Sequence, residues 1–144
     1  HALTLRGPSV ILEANTLTQT HDSDPQDVST GDSAILREGE DLTLLCTGAT
    51  APLALRLHQL CEQAGIEPEV LHLRSLRPLD QEGLKTSVQK TGRCLLLSDS
   101  EALSTHLMGQ ITDLAFLHLE SPPRGSSSSQ TEALMDLIGD ILDY

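Results

Sequence analysis

Histidine and acidic residues are the side chains of this sequence whose spacing could support acid–base or metal chemistry. His118 lies in an apolar segment, residues 115–119, that we predict to be a strand. Glu120 directly follows this segment, two residues after His118, so both side chains would point to the same strand face. A histidine and a carboxylate on one face are the minimum for a metal site or a proton-transfer pair. No third ligand follows at a recognisable spacing, so the pair alone does not indicate a catalytic or metal site.

Polar residues also stand where predicted strands end. His72 and Arg74 alternate onto one strand face at the carboxyl end of the predicted sheet, where α/β proteins form their binding sites. We favour a hydrogen-bonded pair at the strand end. Residues 47–50 (TGAT) join a strand to a helix, and their N–H groups could hold an anion. One glycine is weak evidence for an anion site, so a plain capped turn is the favoured interpretation.

The familiar catalytic and cofactor motifs are missing from this sequence. It contains no glycine-rich dinucleotide or phosphate loop after a strand, no Gly-x-Ser-x-Gly and no His-Glu-x-x-His. Its three cysteines (Cys46, Cys61, Cys94) are odd in number, form no Cys-x-x-Cys pair and lie in apolar runs. We interpret them as small buried hydrophobic side chains of a protein from a reducing compartment. No catalytic, cofactor-binding or metal-binding residue is predicted.

Strand and helix patterns alternate from residue 34 onward. Apolar strands are predicted at residues 42–47, 69–73, 93–98 and 115–119, and residues 34–37 lead into a turn. Amphipathic helices follow the capping residues Thr50, Asp80 and Ser100, and a last amphipathic helix starts at Thr131. Nearly apolar strands between amphipathic helices predict an α/β fold, a three-layer α/β/α domain with a mostly parallel, mixed sheet. Before it, residues 1–33 combine a short apolar strand (residues 9–14) with a polar arm, so we place the domain at residues 34–144.

Composition excludes several classes of function. The 144 residues carry nine Lys and Arg against 21 Asp and Glu, a net charge of −12, and contain one Phe, one Tyr and no Trp. Such a chain is a poor ligand for phosphate backbones, stacked bases or anionic membranes, so neither nucleic acid nor membrane is a predicted partner. We expect a protein of the cytoplasm or the mitochondrial matrix.

Three ordered motifs carry a resemblance to a known family. They are residues 34–45 (AILREGEDLTLL), residues 73–80 (LRSLRPLD) and residues 87–93 (SVQKTGR). Together they resemble the carboxyl-terminal domain of transketolase-like enzymes, and most closely that of the β subunit of the 2-oxo acid dehydrogenase decarboxylating component. Residues 7–13 (GPSVILE) further resemble the last strand of the preceding pyrimidine-binding domain. The motif residues, to which we assign structural roles, are Arg37, Glu38, Gly39, Arg74, Leu76, Pro78, Leu79, Asp80, Thr91, Gly92 and Arg93.

The resemblance implies a part of a larger enzyme. Members of this family bind thiamine diphosphate and Mg²⁺ between two other domains, so this chain alone is expected neither to bind the cofactor nor to decarboxylate a 2-oxo acid. It would instead be a non-catalytic assembly domain that helps to build a homodimer and contacts the α subunit or the cofactor-binding half of the enzyme. Two alternatives remain open: an independent small-molecule or anion-binding α/β domain, and a degenerate relative that only scaffolds a complex.

An acidic stripe on the last predicted helix suggests a further partner. Its residues recur at spacings of four, four and three, opposite an apolar face, and are Glu132, Asp136, Asp140 and Asp143. A solvated outer face explains such a stripe without any function. The resemblance implies docking as the alternative, because the related domain attaches the basic subunit-binding module of the acyltransferase core in some complexes.

Overall fold

Strands and helices alternate along the part of the chain that the computed structural model describes, residues 32–144. The strands are β1 (Ser33–Arg37), β2 (Leu42–Thr47), β3 (Pro68–Leu73), β4 (Cys94–Leu97) and β5 (Arg124–Ser126). The helices are α1 (Ala51–Gln63), α2 (Gln81–Thr91), α3 (Glu101–Ala115) and α4 (Thr131–Leu142). The strand predicted at residues 9–14, and most of the arm, lie outside the described residues.

The five strands form one mixed sheet with the order β1-β3-β2-β4-β5. Strands β2, β3, β4 and β5 are parallel, and only the edge strand β1 runs antiparallel, next to β3. One face of the sheet packs against α1 and α4, and the other packs against α2 and α3. The predicted three-layer α/β/α architecture is therefore confirmed.

Alternation along the central strand explains the two cores. Leu42, Leu44 and Cys46 of β2 are completely buried on the face of α1 and α4, while Leu45 is buried on the face of α2 and α3. Because both faces are covered, the strand is apolar along nearly its whole length. None of the helices in residues 32–144 combines the length and apolarity needed to cross a membrane.

Two of the three predicted helix caps act as expected. The Asp80 carboxylate accepts a hydrogen bond of 2.8 Å from the Gly83 N–H at the start of α2, and the Ser100 hydroxyl accepts one of 3.3 Å from the Leu103 N–H at the start of α3. Thr50 stands at the N-cap position of α1, but its hydroxyl is bonded elsewhere. The α4 helix begins at Thr131, as predicted.

The strand predicted at residues 115–119 is wrong. Ala115 is the last residue of α3, and Phe116–His118 form a 3₁₀ turn in which Phe116 is 70% and Leu117 is 89% exposed. A short apolar run has no periodicity of its own, so it cannot be told apart from the end of a helix that precedes it. His118 and Glu120 consequently do not share a strand face.

The fifth strand lies instead in the Pro- and Ser-rich residues after Glu120, where no strand is predicted. Residues Arg124–Ser126 pair with β4, Leu96 standing opposite Gly125. A Cβ atom at Gly125 would lie 3.2 Å from the sulfur of Met108 and 3.2 Å from Cβ of Ser104, both on α3. A glycine here therefore lets α3 pack closely on the edge strand.

A polar layer lies beneath α2 in the otherwise apolar core. Glu69 is only 1% exposed, and its carboxylate forms an ion pair with the Lys90 ammonium. Beside this pair, the buried Thr43 hydroxyl is 2.9 Å from the Ser87 hydroxyl and 2.8 Å from the Thr91 hydroxyl. Because β3 contributes the carboxylate and α2 the ammonium, the ion pair fixes the position of the helix along the sheet.

Removing the ammonium of this pair should destabilise the fold strongly. The Lys90→Met substitution leaves the Glu69 carboxylate buried without its counter-charge, and we expect a loss of about 2–4 kcal/mol in the free energy of unfolding. The value lies below that of a fully buried pair because the Lys90 side chain is 37% exposed. Urea unfolding followed by circular dichroism at 222 nm would measure it.

Two comparison variants separate the charge effect from helix propensity. Lys85→Met alters a lysine of the same helix that forms no ion pair within residues 32–144, and should change stability by less than about 0.5 kcal/mol. Glu69→Leu combined with Lys90→Met leaves no buried charge and should be more stable than Lys90→Met alone. A double variant that is no more stable than the single one would contradict the ion-pair explanation.

Candidate functional site

Two of the three sequence motifs meet at the amino ends of the parallel strands. Residues 37–39 precede β2 and residues 91–93 precede β4. At Gly39, a Cβ atom would lie 2.3 Å from both the Glu67 carbonyl oxygen and the Pro68 carbonyl carbon. Only glycine fits this close approach of two backbones, which the Glu40 N–H closes with a 2.8 Å hydrogen bond to the Glu67 oxygen.

The motif residue Glu38 extends the buried ion pair to the surface. Its carboxylate lies 3.0 Å from the Lys90 ammonium, which also contacts the Glu69 carboxylate. The hydrogen bond from Lys90 holds the pKa of Glu38 below its usual value. The hydrogen bond to Glu69 and that to Glu38 raise the pKa of Lys90 despite the opposing effect of burial. Glu38, Glu69 and Lys90 thus form one charged cluster that stabilises the fold.

The second motif at this end forms a helix end and a surface ion pair. Gly92 ends α2 in the left-handed conformation, with a φ of 69°. Its carbonyl accepts a 2.8 Å hydrogen bond from the Glu120 N–H, and the Arg93 guanidinium lies 2.8 Å from the Glu120 carboxylate. Glu120 is therefore the partner of Arg93 rather than a neighbour of His118 on one strand face, and His118 is exposed.

The third motif connects the carboxyl end of β3 to α2. Its Leu79 side chain packs into the core beneath α2, and the peptide bond between Arg77 and Pro78 is cis. Asp80 caps α2 and also accepts a 2.9 Å hydrogen bond from the Ser33 N–H and one of 2.5 Å from its hydroxyl. Leu76 and Leu79 form an isolated antiparallel bridge. The motif thus ties the edge strand β1 to the helix that follows β3.

Hydrogen bonds lower the pKa of Asp80. Burial alone raises the pKa of this carboxyl group, but the hydrogen bonds from the Ser33 hydroxyl, the Ser33 N–H and the Gly83 N–H outweigh burial and bring it below its usual value. The ionised form is therefore the one that the fold stabilises.

Three further histidines lie in the described part of the chain, and two of them are buried or half-buried within the fold. His72 is half-buried in β3, and its pKa is lowered by burial and then by the positive charge of Arg74, which follows the strand. His58 is buried on α1, where Nδ1 lies 3.0 Å from the Pro68 carbonyl oxygen and Nε2 lies 3.6 Å from the Glu62 carboxylate. His106 is exposed on α3.

The carboxyl ends of β2 and β4 border a crevice of about 340 Å³, lined by Thr50, Ser98, Asp99 and the serines at 126–129. The strand order switches here, because the strand after β2 in the chain, β3, lies on one side of β2 and the next, β4, lies on its other side. In the turn at residues 47–50, the Thr47 N–H donates to the Thr50 hydroxyl, which donates to the carbonyls of Thr47 and Leu97. The Thr50 hydroxyl therefore ties this turn to the end of β4.

The part of the chain that the structure describes shows no group of three or more His, Cys, Asp or Glu side chains placed to hold a metal ion. All three cysteines are buried and unpaired. Burial raises the pKa of the Cys46 and Cys94 thiols to about 12 and that of Cys61 to about 11. The thiols therefore stay protonated near neutral pH and pack as hydrophobic groups.

The four acidic side chains predicted to form a stripe are all exposed along one side of α4 and at its end. Leu134, Ile138 and Ile141 of the same helix are buried against the sheet. Within residues 32–144, none of Glu132, Asp136, Asp140 and Asp143 forms an ion pair, so their charges face solvent unneutralised.

An apolar surface was missed by the sequence analysis. Phe116 and Tyr144 line a groove of about 380 Å³ with Pro122 and Pro123. Leu117 follows Phe116 in the chain. Phe116 is 70%, Leu117 89% and Tyr144 75% exposed. We name these three residues the apolar patch. The sequence signal that could have shown it is the position of both aromatic residues outside the helical core stripes.

Comparisons with known proteins agree with the fold and the motifs. The family described as "Transketolase, C-terminal domain" matches residues 31–136. The pyruvate dehydrogenase E1 component subunit beta of Bacillus subtilis is 33% identical over 98 residues, covering 66% of this chain and 30% of that protein. The acetoin:2,6-dichlorophenolindophenol oxidoreductase subunit beta of the same organism is 33% identical over 113 residues, covering 74% and 33%. This chain thus spans about a third of these relatives.

Solved structures with this fold have low sequence identity. A split-gene transketolase, an inactive β4 tetramer, has a TM-score of 0.65 at 19% identity, covering 85% of this chain and 46% of that chain. A 2-oxoglutarate:ferredoxin oxidoreductase from Magnetococcus marinus has a TM-score of 0.56 at 9% identity, covering 81% and 20%. At such identities the similarity describes the fold alone.

The Asp80 contacts predict a stability that depends on pH. The Asp80→Ala substitution removes a helix cap and the bonds to Ser33, and should cost about 1–2 kcal/mol at pH 7. Because the folded-state pKa lies below the unfolded value of about 3.9, this contribution is present above that value and is lost as the pH falls through the folded-state pKa.

Urea denaturation of both proteins between pH 7 and pH 2 would test this expectation. The difference between wild type and Asp80→Ala should shrink below about pH 4. The exposed Asp113 on α3 offers a matched control, and Asp113→Ala should show no comparable difference at any pH. A difference that stays constant down to pH 2 would show that the charge of Asp80 does not contribute.

Proposed function

Because this chain belongs to the family of transketolase C-terminal domains, in the form found in 2-oxo acid dehydrogenase β subunits and their relatives, we propose that it is an assembly domain of such a subunit. The whole protein would be a thiamine-diphosphate-dependent enzyme, and this portion would hold it together without taking part in the chemistry. The residues of the three motifs support a structural role, because their polar side chains, such as those of Glu38, Asp80 and Arg93, form hydrogen bonds or ion pairs with other residues of the domain.

The apolar patch is the observation that carries the assembly role. The domain exposes a phenylalanine and a tyrosine in one groove, and a leucine that follows the phenylalanine in the chain, so it leaves apolar surface that a second chain can cover. Aromatic side chains are enriched at the centres of protein interfaces, where they contribute most of the binding energy. We take a second copy of the chain as the occupant, with the α subunit or the cofactor-binding half as further contacts in the full enzyme.

The described residues are assigned no part in holding the cofactor implied for the whole protein. Residues 32–144 contain no group of three or more His, Cys, Asp or Glu side chains placed to hold a metal ion. Within the same range the one buried carboxylate, that of Glu69, is bound to Lys90. Micromolar binding of the cofactor with Mg²⁺ to this chain, measured by calorimetry, would contradict the assignment of a non-catalytic domain.

Self-association through the apolar patch is the expected result for the isolated chain. Sedimentation equilibrium should show a reversible dimer, weak because only part of the enzyme's interface is present. The Phe116→Ser/Leu117→Ser variant should weaken dimerisation at least about tenfold, since it removes central apolar contacts while altering no buried residue.

Ile35→Ser is the matched control for this experiment. Ile35 is also apolar and 51% exposed but lies on β1, at the opposite edge of the sheet from β5. The control should dimerise like wild type. A wild-type chain that remains monomeric at millimolar concentration, or a dimer that only Ile35→Ser weakens, would exclude the apolar patch as the assembly surface.

The acidic stripe on α4 is proposed as a docking surface for the basic subunit-binding module of an acyltransferase core. Four unneutralised carboxylates on one exposed helix side would attract a basic domain. Such attraction speeds encounter and sets orientation more than it strengthens the final complex, and it weakens as salt screens the charges. A helix side that is merely solvated would show none of these effects.

Charge reversal on the stripe should slow association with the basic module. We expect Asp136→Lys/Asp140→Lys to lower the association rate about tenfold at low salt, with nearly unchanged thermal stability because both side chains are exposed. Glu40→Lys/Glu67→Lys makes the same change in net charge at exposed positions near the start of β2 and should have a smaller effect. Stopped-flow measurements in which both variants bind as fast as wild type would show a solvated face only.

A further inference from the structure

A groove of about 400 Å³ runs between the edge strand β1 and helix α2. Its floor includes Ile35 of β1 and Leu71 of β3, which stand opposite each other in the antiparallel pair. Helix α2 packs over β2 and β3, so the edge strand keeps Ile35 51% exposed. We name this the β1 groove. The polar groups on its walls belong to Ser33, Glu69, Asp80, Thr86, Ser87 and Lys90.

One of these polar groups is buried and only partly bonded. Glu69 is 1% exposed, and one of its carboxylate oxygens accepts a hydrogen bond from the Lys90 ammonium. Its other oxygen, Oε1, is buried and has no hydrogen-bond partner in the part of the chain that the structure describes. A buried acceptor without a donor is costly, so a group that brings an N–H to this oxygen gains more than it would in water.

The charges around the β1 groove favour a cationic donor. Lys90 is the ammonium at this place, and it is shared by the carboxylates of Glu69 and Glu38. Asp80 adds a further carboxylate on the wall, although its own oxygens are already bonded to Ser33 and Gly83. The carboxylates of Glu38, Glu69 and Asp80 therefore outnumber the single ammonium of Lys90. Of the carboxylate oxygens on the groove walls, Glu69 Oε1 is the one that has no hydrogen-bond partner in residues 32–144.

The apolar floor of the groove favours a ligand whose cationic group is attached to an aliphatic chain. Ile35 and Leu71 present aliphatic surface next to the acidic wall. Side chains such as those of arginine and lysine combine an aliphatic stem with a cationic head and lie along such surfaces. We propose that the β1 groove binds an alkylguanidinium or alkylammonium group, with the stem on Ile35 and Leu71 and an N–H donated to Glu69 Oε1. This site is separate from the apolar patch and the acidic stripe.

Titration with n-butylguanidinium tests the proposal directly. For so small a ligand we expect a dissociation constant on the order of 1–10 mM. Two-dimensional ¹H–¹⁵N spectra of the labelled chain should show saturable shifts at the backbone amides of Ile35, Leu71 and Thr86. Shifts that are absent, that do not saturate, or that concentrate on α4 instead would overturn it.

Substitutions inside the groove make the test specific. In Glu69→Gln the amide oxygen has to face the Lys90 donor, so the amide NH₂ takes the place of Oε1 and repels the ligand. We expect affinity to fall at least about tenfold. Wild-type affinity in a folded Glu69→Gln protein would overturn the proposal.

A second variant does not depend on the buried ion pair. Thr86→Phe fills the groove from an exposed position of α2 and should also abolish binding. Thr105→Phe, at an exposed position of α3, is the matched control and should bind like wild type. If Thr86→Phe binds n-butylguanidinium as wild type does, the ligand lies elsewhere and the proposal fails.

The source of the cation is distinguished by a second titration. The peptide acetyl-Gly-Arg-Gly-amide carries the same group on a protein backbone, and its citrulline analogue has the same shape without the charge. Binding of the arginine peptide but not of the citrulline peptide would identify the side chain of a partner protein as a ligand of the β1 groove. Binding of n-butylguanidinium alone would identify a small molecule. Neither binding would overturn the proposal.

Discussion

The burial of one carboxylate constrains how this domain is assembled. Glu69 lies under α2 with almost no contact with solvent, and a buried charge of this kind is tolerated only when a counter-charge and hydrogen bonds reach it. Lys90 supplies that charge from the last turn of α2, and Glu38 holds Lys90 from the turn before β2. Three segments that are far apart in the chain therefore have to arrive together, and a shift of α2 along the sheet would leave a charge unpaired.

The two ends of the parallel strands differ in how their residues are used. At the amino ends, the motif residues contact other parts of the domain: Gly39 lets two backbones approach closely, and Arg93 forms an ion pair with Glu120. Open polar space lies at the carboxyl ends, where α/β proteins place their sites, and there the crevice is lined mainly by hydroxyl groups. The three sequence motifs thus lie mostly where they stabilise the fold, which agrees with the assembly role that we propose.

Much of this architecture could be predicted from the sequence because periodicity records which face of an element is buried. The failures come from information that the local sequence lacks. Residues 115–119 are apolar, but nothing local shows that they end a helix in solvent. The short β5 is defined by its pairing with β4, a contact distant in sequence that Pro- and Ser-rich residues do not announce. The burial of Glu69 also escapes a local analysis, since a charged residue in a strand suggests an exposed position and its partner stands 21 residues away.

The placement of the aromatic residues has a consequence for optical spectroscopy. The chain has one tyrosine, one phenylalanine and no tryptophan, and both rings project from the surface. Its interior is built from aliphatic side chains, so no buried phenol or indole chromophore gives a near-ultraviolet signature of the native packing. Emission from Tyr144 instead reports on the local surface beside the groove that contains Phe116. In this molecule the intrinsic fluorescence of Tyr144 therefore reports binding at the surface around it and reports little about the packing of the core.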